Sequence, residues 1–180
     1  MKYQQRFSIG DREIRAGAPA YFVADIAANH DGDLERARDL ICKAKEAGAD
    51  VAKFQHFKAD RIVSDVGFSD ASVGKVSHQA KWRKSVSEIY DQYHTRREWT
   101  EALVDTCRAV GIEFMTTPYD AEAVRMFRDI VPAYKVGSGD ITFSGLLTEI
   151  ARQSKPVLLA TGASTMAEVE GAVETCLAHN

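Results

Sequence analysis

Two lysines, a glutamine and an aspartate stand where extended strands would bring them onto one surface. In DVAKFQHF (Asp50 to Phe57) alternation puts Val51, Lys53 and Gln55 on one face and Ala52, Phe54 and His56 on the other. YFVADIAA (Tyr21 to Ala28) likewise sets Val23, Asp25 and Ala27, and Asn29 after them, on one side. AYKVG (Ala133 to Gly137) aligns Ala133 with Lys135. A buried, unpaired ammonium is costly, and two of them facing Asp25 leave positive charge to be offset. A small molecule carrying two or three negative charges is the natural complement. The alternatives are an internal Asp25 to Lys53 ion pair with Lys135 reaching solvent, and a Schiff-base amine at Lys53 or Lys135 in an aldolase or lyase.

Small hydroxyl residues and glycines follow the strands: Thr116-Thr117, Gly137-Ser138-Gly139, and Thr161-Gly162 with Ser164-Thr165. Backbone N–H groups and hydroxyls in such loops suit phosphate oxygens, although the same residues also form ordinary turns. His30 is expected to close a turn and His56 to pack on the outward face, while His78, His94 and His179 carry no assigned role. No histidine pair has metal-site spacing. Cys42, Cys107 and Cys176 fall in helices without a CxxC pair and read as small apolar residues in a reducing compartment.

The elements that would position these groups recur along the chain. Phe7 to Ile14 reads as a hairpin about Gly10-Asp11, able to plug a barrel floor. Strands are expected at Tyr21 to Ala28, Asp50 to Phe57, Ile112 to Pro118, Ala133 to Gly137 and Pro156 to Gly162. The helix after the first shows Leu34, Ala37, Leu40, Ile41 and Ala44 on one face, with Asp33 capping its start and Gly48 ending it. Thr95 with Glu98, and Thr165 with Glu168, have capping-box spacing, and Asp120 can cap the helix through Met126. Strands alternating with single helices imply parallel pairing, in a doubly wound sheet or a (β/α)8 barrel. No GxGxxG follows the first strand, which disfavours the former. The connection from Phe57 to His94 is long, includes an expected helix at Ser85 to Tyr93, and brings Trp82, Tyr90 and Tyr93 to where a lid or a plain surface excursion would lie.

Composition excludes other classes. With 180 residues, 45% apolar, 27% charged and a net charge of −3, the chain can bury a core and has no global attraction to polyanions. MKYQQRFSIG has no apolar leader, and no run approaches the roughly 20 apolar residues of a membrane span. The expectation is a cytoplasmic protein that engages neither nucleic acid nor membrane.

In order along the chain, ADIAANHDGDLERA, AGADVAKFQHF, GIEFMTTPYD, PAYKVGSGDI and KPVLLATGAST resemble the motif set of the N-acetylneuraminate (sialic acid) synthase family. The resemblance implies a (β/α)8 TIM-type barrel, of which residues 1–180 supply about five β/α units after the hairpin. Eight units close such a barrel, so an N-terminal part of a longer chain is expected, without the family's C-terminal antifreeze-like domain. The implied reaction condenses phosphoenolpyruvate with an N-acetylhexosamine such as N-acetylmannosamine and releases phosphate. The resemblance assigns Lys53, Gln55 and Thr117 to the phosphoenolpyruvate carboxylate, and Lys135 and Ser138 to its phosphate. Asp140 would face the acceptor sugar, where N-acetylmannosamine-specific members carry glutamate. Asp25 would assist proton movement at the enol carbon, again in place of a family glutamate. Ala160 stands where a phosphate-contacting serine is usual. A divalent metal, manganese or magnesium, is implied, its two histidines falling on later strands beyond residue 180, and the full-length protein is expected to be a homodimer. A non-catalytic phosphate-ligand binder or truncated remnant is the alternative from another class.

Overall fold

The computed structural model describes residues 5–72 and 82–179. Strands β1 (Arg6–Ile9) and β2 (Arg12–Arg15) form the expected antiparallel hairpin. The strands β3 (Val23–Ala27), β4 (Val51–His56), β5 (Glu113–Pro118), β6 (Tyr134–Val136) and β7 (Val157–Leu159) form one parallel sheet in the order β3-β4-β5-β6-β7. A doubly wound sheet reverses direction beside its first strand, whereas a barrel wall adds each strand next to the last. The sequential order therefore selects the TIM-type barrel wall over the doubly wound alternative.

Helices α1 (Leu34–Glu46), α5 (Thr100–Val110), α6 (Ala121–Met126), α7 (Ser144–Ala151) and α8 (Met166–His179) alternate with these strands. They cover the face that carries Ile26, Ala52, Phe54, Phe114, Tyr134 and Val136. The long connection after β4 contains α2 (Ala59–Ile62), α3 (Asp65–Ser72) and α4 (Val86–Tyr93). Its His78 lies outside the described residues.

Helix starts follow local chemistry. Asp33 accepts from the Arg36 N–H, Asp120 from the Ala123 N–H, and Ser85 with Glu88 completes a capping box on α4. Thr165 and Glu168 exchange both bonds of theirs. The box expected at Thr95 and Glu98 does not form. A short 3-10 turn, Arg97–Trp99, precedes α5, and the buried Thr95 hydroxyl pairs with His30 instead. A local cap was outcompeted by a tertiary partner 65 positions away.

On the opposite face of the sheet, Ile9 of the hairpin packs with Val51, Met115 and Ala133. Ile9 is 2% exposed, and burying such a side chain contributes about 1.5–3 kcal/mol. Because Val51 and Ala133 precede the two lysines on their strands, the hairpin closes the N-terminal end of this face, as expected of a floor plug. Asp50 ties it down by accepting from Arg12 and from the Phe22 N–H. Cys107 is buried and its thiol is pushed up to about 12, in keeping with an inert apolar role. Among the described residues no helix is long and apolar enough to cross a membrane.

Candidate active site

Register places the functional side chains. Asp25 pairs with Lys53 across β3 and β4, Gln55 with Thr117 across β4 and β5, and Lys135 with Leu158 across β6 and β7. Asp25, Lys53, Gln55, Thr117 and Lys135 thus share the face away from the helices, toward the C-terminal ends of the strands. That is the face on which barrel enzymes carry their chemistry.

Lys53 is 5% exposed and donates to Asp25 Oδ1 at 2.6 Å, so the ion pair considered from sequence does form. The Asp25 side chain remains 58% exposed on the edge strand. Lys135 donates to the Val136 carbonyl of its own strand. Desolvation first, and then the Lys53 charge, hold the Lys135 ammonium below the usual lysine range, against the opposing pull of Asp25 and Asp140. Burial raises the Asp140 carboxyl above the ordinary range, partly countered by Lys135. The Lys53 charge therefore acts on Lys135.

The turn after β6 brings Asp140 back over Gly137. The Asp140 N–H donates to the Gly137 carbonyl, and a Cβ on residue 137 would stand 2.8 Å from Asp140 Oδ2. That same Cβ would stand 3.9 Å from the Tyr119 hydroxyl. Tyr119 was not singled out from sequence, because a tyrosine after a strand proline carries no pattern of its own. Burial, then Asp140 and Asp25, push its phenol up to about 12, so it stays protonated beside two carboxylates. On the loop that follows, the Ser138 carbonyl accepts from Ser164, joining the turns after β6 and β7.

Three sequence readings are corrected. Ala27 and Asn29 do not continue the Asp25 face, because the β3 register shifts between Asp25 and Ala27 and Ala27 takes a left-handed φ of 51°. Thr116 is not a phosphate group: it is fully buried on the helix-covered face, bonded to His56 Nδ1 at 2.7 Å and to the Phe54 carbonyl. Trp82 stacks on Phe68, while Tyr90 and Tyr93 alone of that aromatic set line a cavity with Gln55 and Asn29.

His30 and His56 stay structural. His30 Nδ1 accepts from the Gly32 N–H, so Nε2 carries the proton and donates to Thr95. Burial pushes His56 down to about 3, a neutral ring against Phe127. Among the described residues no three His, Cys, Asp or Glu side chains cluster to hold a metal ion. The implied manganese or magnesium thus finds no ligand set there, and no step below is routed through it.

A sequential parallel sheet flanked by alternating helices, with Lys53 and Lys135 on its other face, defines the class, a TIM-type barrel wall. The NeuB family profile matches residues 40–180, and the chain belongs to the NeuB family. It is similar to the N,N'-diacetyllegionaminic acid synthase of Legionella pneumophila, 33% identical over 86% of this chain and 43% of that protein. It is also similar to the human N-acetylneuraminate-9-phosphate synthase, 34% identical over 82% of this chain and 40% of that one. The crystal structure of the spore coat polysaccharide biosynthesis protein SpsE of Bacillus subtilis superposes with a TM-score of 0.75 at 29% identity, covering 97% of this chain and 45% of that structure. The chain spans about half the length of the curated relatives it matches.

Proposed function

We propose that the full-length protein carrying this sequence is a nonulosonic acid synthase that condenses phosphoenolpyruvate with an N-acylated hexosamine such as N-acetylmannosamine and releases phosphate. The observation that carries this reading is the convergence of Lys53 and Lys135, with Asp25 and Asp140 beside them, on one face of the barrel wall in a NeuB-family chain. Lys53, Gln55 and Thr117 take the carboxylate of phosphoenolpyruvate, and Lys135 with the Ser138 turn takes its phosphate. Carbon 3 bonds to the acceptor aldehyde carbon, whose oxygen gains a proton. Water adds at carbon 2, and as the bond from carbon 2 to the phosphate oxygen breaks carbon 2 becomes a carbonyl. One of the water's protons ends on the acceptor oxygen and the other leaves with phosphate. Asp25, released from Lys53 as the anion enters, receives the proton from that water. The lysines offset charge through each step.

The test is calorimetry of phosphoenolpyruvate binding to the full-length protein, paired with phosphate release. Lys53→Ala and Lys135→Ala are each expected to weaken binding by more than about 1.5 kcal/mol, the value of a charge-assisted contact. Unchanged affinity in both removes the site assignment. The 2.6 Å Asp25 to Lys53 pair, which offsets the Lys53 charge from within the protein, favours a second reading as a non-catalytic phosphate-ligand binder. Tight phosphoenolpyruvate binding without phosphate release from any N-acylhexosamine would establish that reading.

A further inference from the structure

Three tyrosines, Tyr21, Tyr119 and Tyr134, are withdrawn from water, and their hydroxyls have different fates. That of Tyr134 donates to the Val124 carbonyl at 2.7 Å behind the sheet, and that of Tyr21 is sealed beside the hairpin without a partner. Tyr119 keeps a hydroxyl that is neither bonded within the described residues nor sealed from solvent. It stands one residue past Pro118, the last of β5, at the C-terminal ends of the strands.

The phenol is held there from several sides. The Tyr119 N–H donates to the His56 carbonyl at 3.2 Å, which carries the β4 to β5 pairing one step beyond the strand. The Phe57 ring meets the Tyr119 ring edge-on at 5.8 Å. Asp120, the next residue, accepts from Arg97 at 2.6 Å and caps α6 through the Ala123 N–H at 2.7 Å. Both members of that ion pair are largely buried, so moving Tyr119 would expose or unpair them. The place that a Cβ on residue 137 would take lies 3.9 Å from the Tyr119 hydroxyl and 2.8 Å from Asp140 Oδ2. Phenol and carboxyl thus converge at the end of β6. From the β3 side the Asp25 charge reaches the same phenol. Asp25 spends Oδ1 on Lys53, and its Oδ2 accepts no hydrogen bond within the described residues.

In the synthase reading one proton of the attacking water has to pass from Asp25 to the acceptor oxygen beside Asp140. We propose that Tyr119 is a further catalytic residue and carries that proton. As carbon 3 bonds to the aldehyde carbon, the phenol O–H bond breaks and its proton forms the hydroxyl on the acceptor oxygen. An alkoxide is a stronger base than a phenolate, so this transfer runs downhill. Once water has added at carbon 2 and given Asp25 a proton, Asp25 passes it to the phenolate. Phenol and carboxylate are both restored, and one water proton has reached the acceptor. The inference rests on the synthase reading and adds to it the group that completes its proton path.

The experiment measures phosphate release from phosphoenolpyruvate and N-acetylmannosamine or a related N-acylhexosamine by the full-length protein, as parent, Tyr119→Phe, Asp25→Asn and the double variant. Tyr119→Phe keeps the ring and its contact with Phe57 and removes only the hydroxyl. Its kcat is expected to fall about a hundredfold, with the acceptor KM, the phosphoenolpyruvate affinity by calorimetry and the melting temperature close to those of the parent. Because the two groups serve one path, the double variant should be no more than about threefold slower than the slower single variant. A Tyr119→Phe kcat within about threefold of the parent overturns the proposal. Losses that multiply in the double variant also overturn it, since the two groups would then act independently. Early melting or lost phosphoenolpyruvate affinity in Tyr119→Phe would make the hydroxyl structural and has the same consequence. A parent that turns over no N-acylhexosamine fells the synthase reading and the relay with it, whereas an active parent with an equally active Phe variant fells the relay alone.

Discussion

Lys135 holds its ammonium where burial and the Lys53 charge both favour the neutral amine. Its folded pKa lies below the unfolded value of 10.5, so the charged form costs stability at lower pH, and that cost is relieved as pH rises through the folded pKa. Binding an anion works with the opposite sign, since the ligand needs the proton to be present. Phosphoenolpyruvate affinity should therefore fall as pH rises through the folded Lys135 pKa, by up to about tenfold per unit, starting below the ordinary lysine range. Lys135→Arg keeps its charge there and should show no such fall. Calorimetry between about pH 7 and 10 reads both. A parallel decline in parent and Arg variant would take Lys135 away from the ligand. Asp140, shifted upward beside it, gains stability as pH falls through its own raised pKa, so the two groups act at opposite ends of the scale.

At the scale of elements, the turn after β6 separates two glycines by what a methyl group would meet. A Cβ at Gly137 collides with the Asp140 carboxylate at 2.8 Å, whereas one at Gly139 meets nothing within 4 Å. Gly137→Ala must push the Asp140 carboxylate from its place over the strand end and should lower kcat/KM for the acceptor by about tenfold or more, with little change in stability because only the end of a side chain has to move. Gly139→Ala should be silent in both steady-state kinetics and thermal melts. Equal damage from the two would mean that the loop as a whole, not the placement of Asp140, is at stake. The sequence pattern made this turn and the sheet legible: strict alternation set Lys53 and Gln55 on one face, and the Asp33, Asp120 and Thr165 caps fixed helix starts. The Ala27 shift, the Thr95 to His30 bond and the Tyr119 position were not legible, because each depends on a partner distant in sequence. Residue type alone fails within a motif such as TT, where alternation turns Thr117 to the site and Thr116 to the helices.

For the whole molecule, the question is what five strands can do where a closed barrel has eight. Strands β3 and β7 each have one neighbour in the described sheet, and Phe22, just before β3, is 62% exposed. Unpaired edges of this kind invite pairing between chains. The electrostatics point the same way. Two charges about 4 Å apart interact by only about 1 kcal/mol in bulk water, and several times more once water is excluded. Asp25, more than half exposed on the β3 edge, lies on the watered side of that comparison. The lysine site of residues 1–180 alone should thus hold phosphoenolpyruvate weakly, and among the described residues no three His, Cys, Asp or Glu side chains gather to hold a metal ion that would polarise an aldehyde. Residues 1–180, given phosphoenolpyruvate, N-acetylmannosamine and manganese, are expected to release no phosphate above background and to sediment as self-associated species. A version extended by three further strand-helix units should sediment as a defined species and release phosphate under the same conditions. Turnover by residues 1–180 alone would show that five strands complete a site, and would place the decisive groups among side chains of β3 to β7 other than those named here.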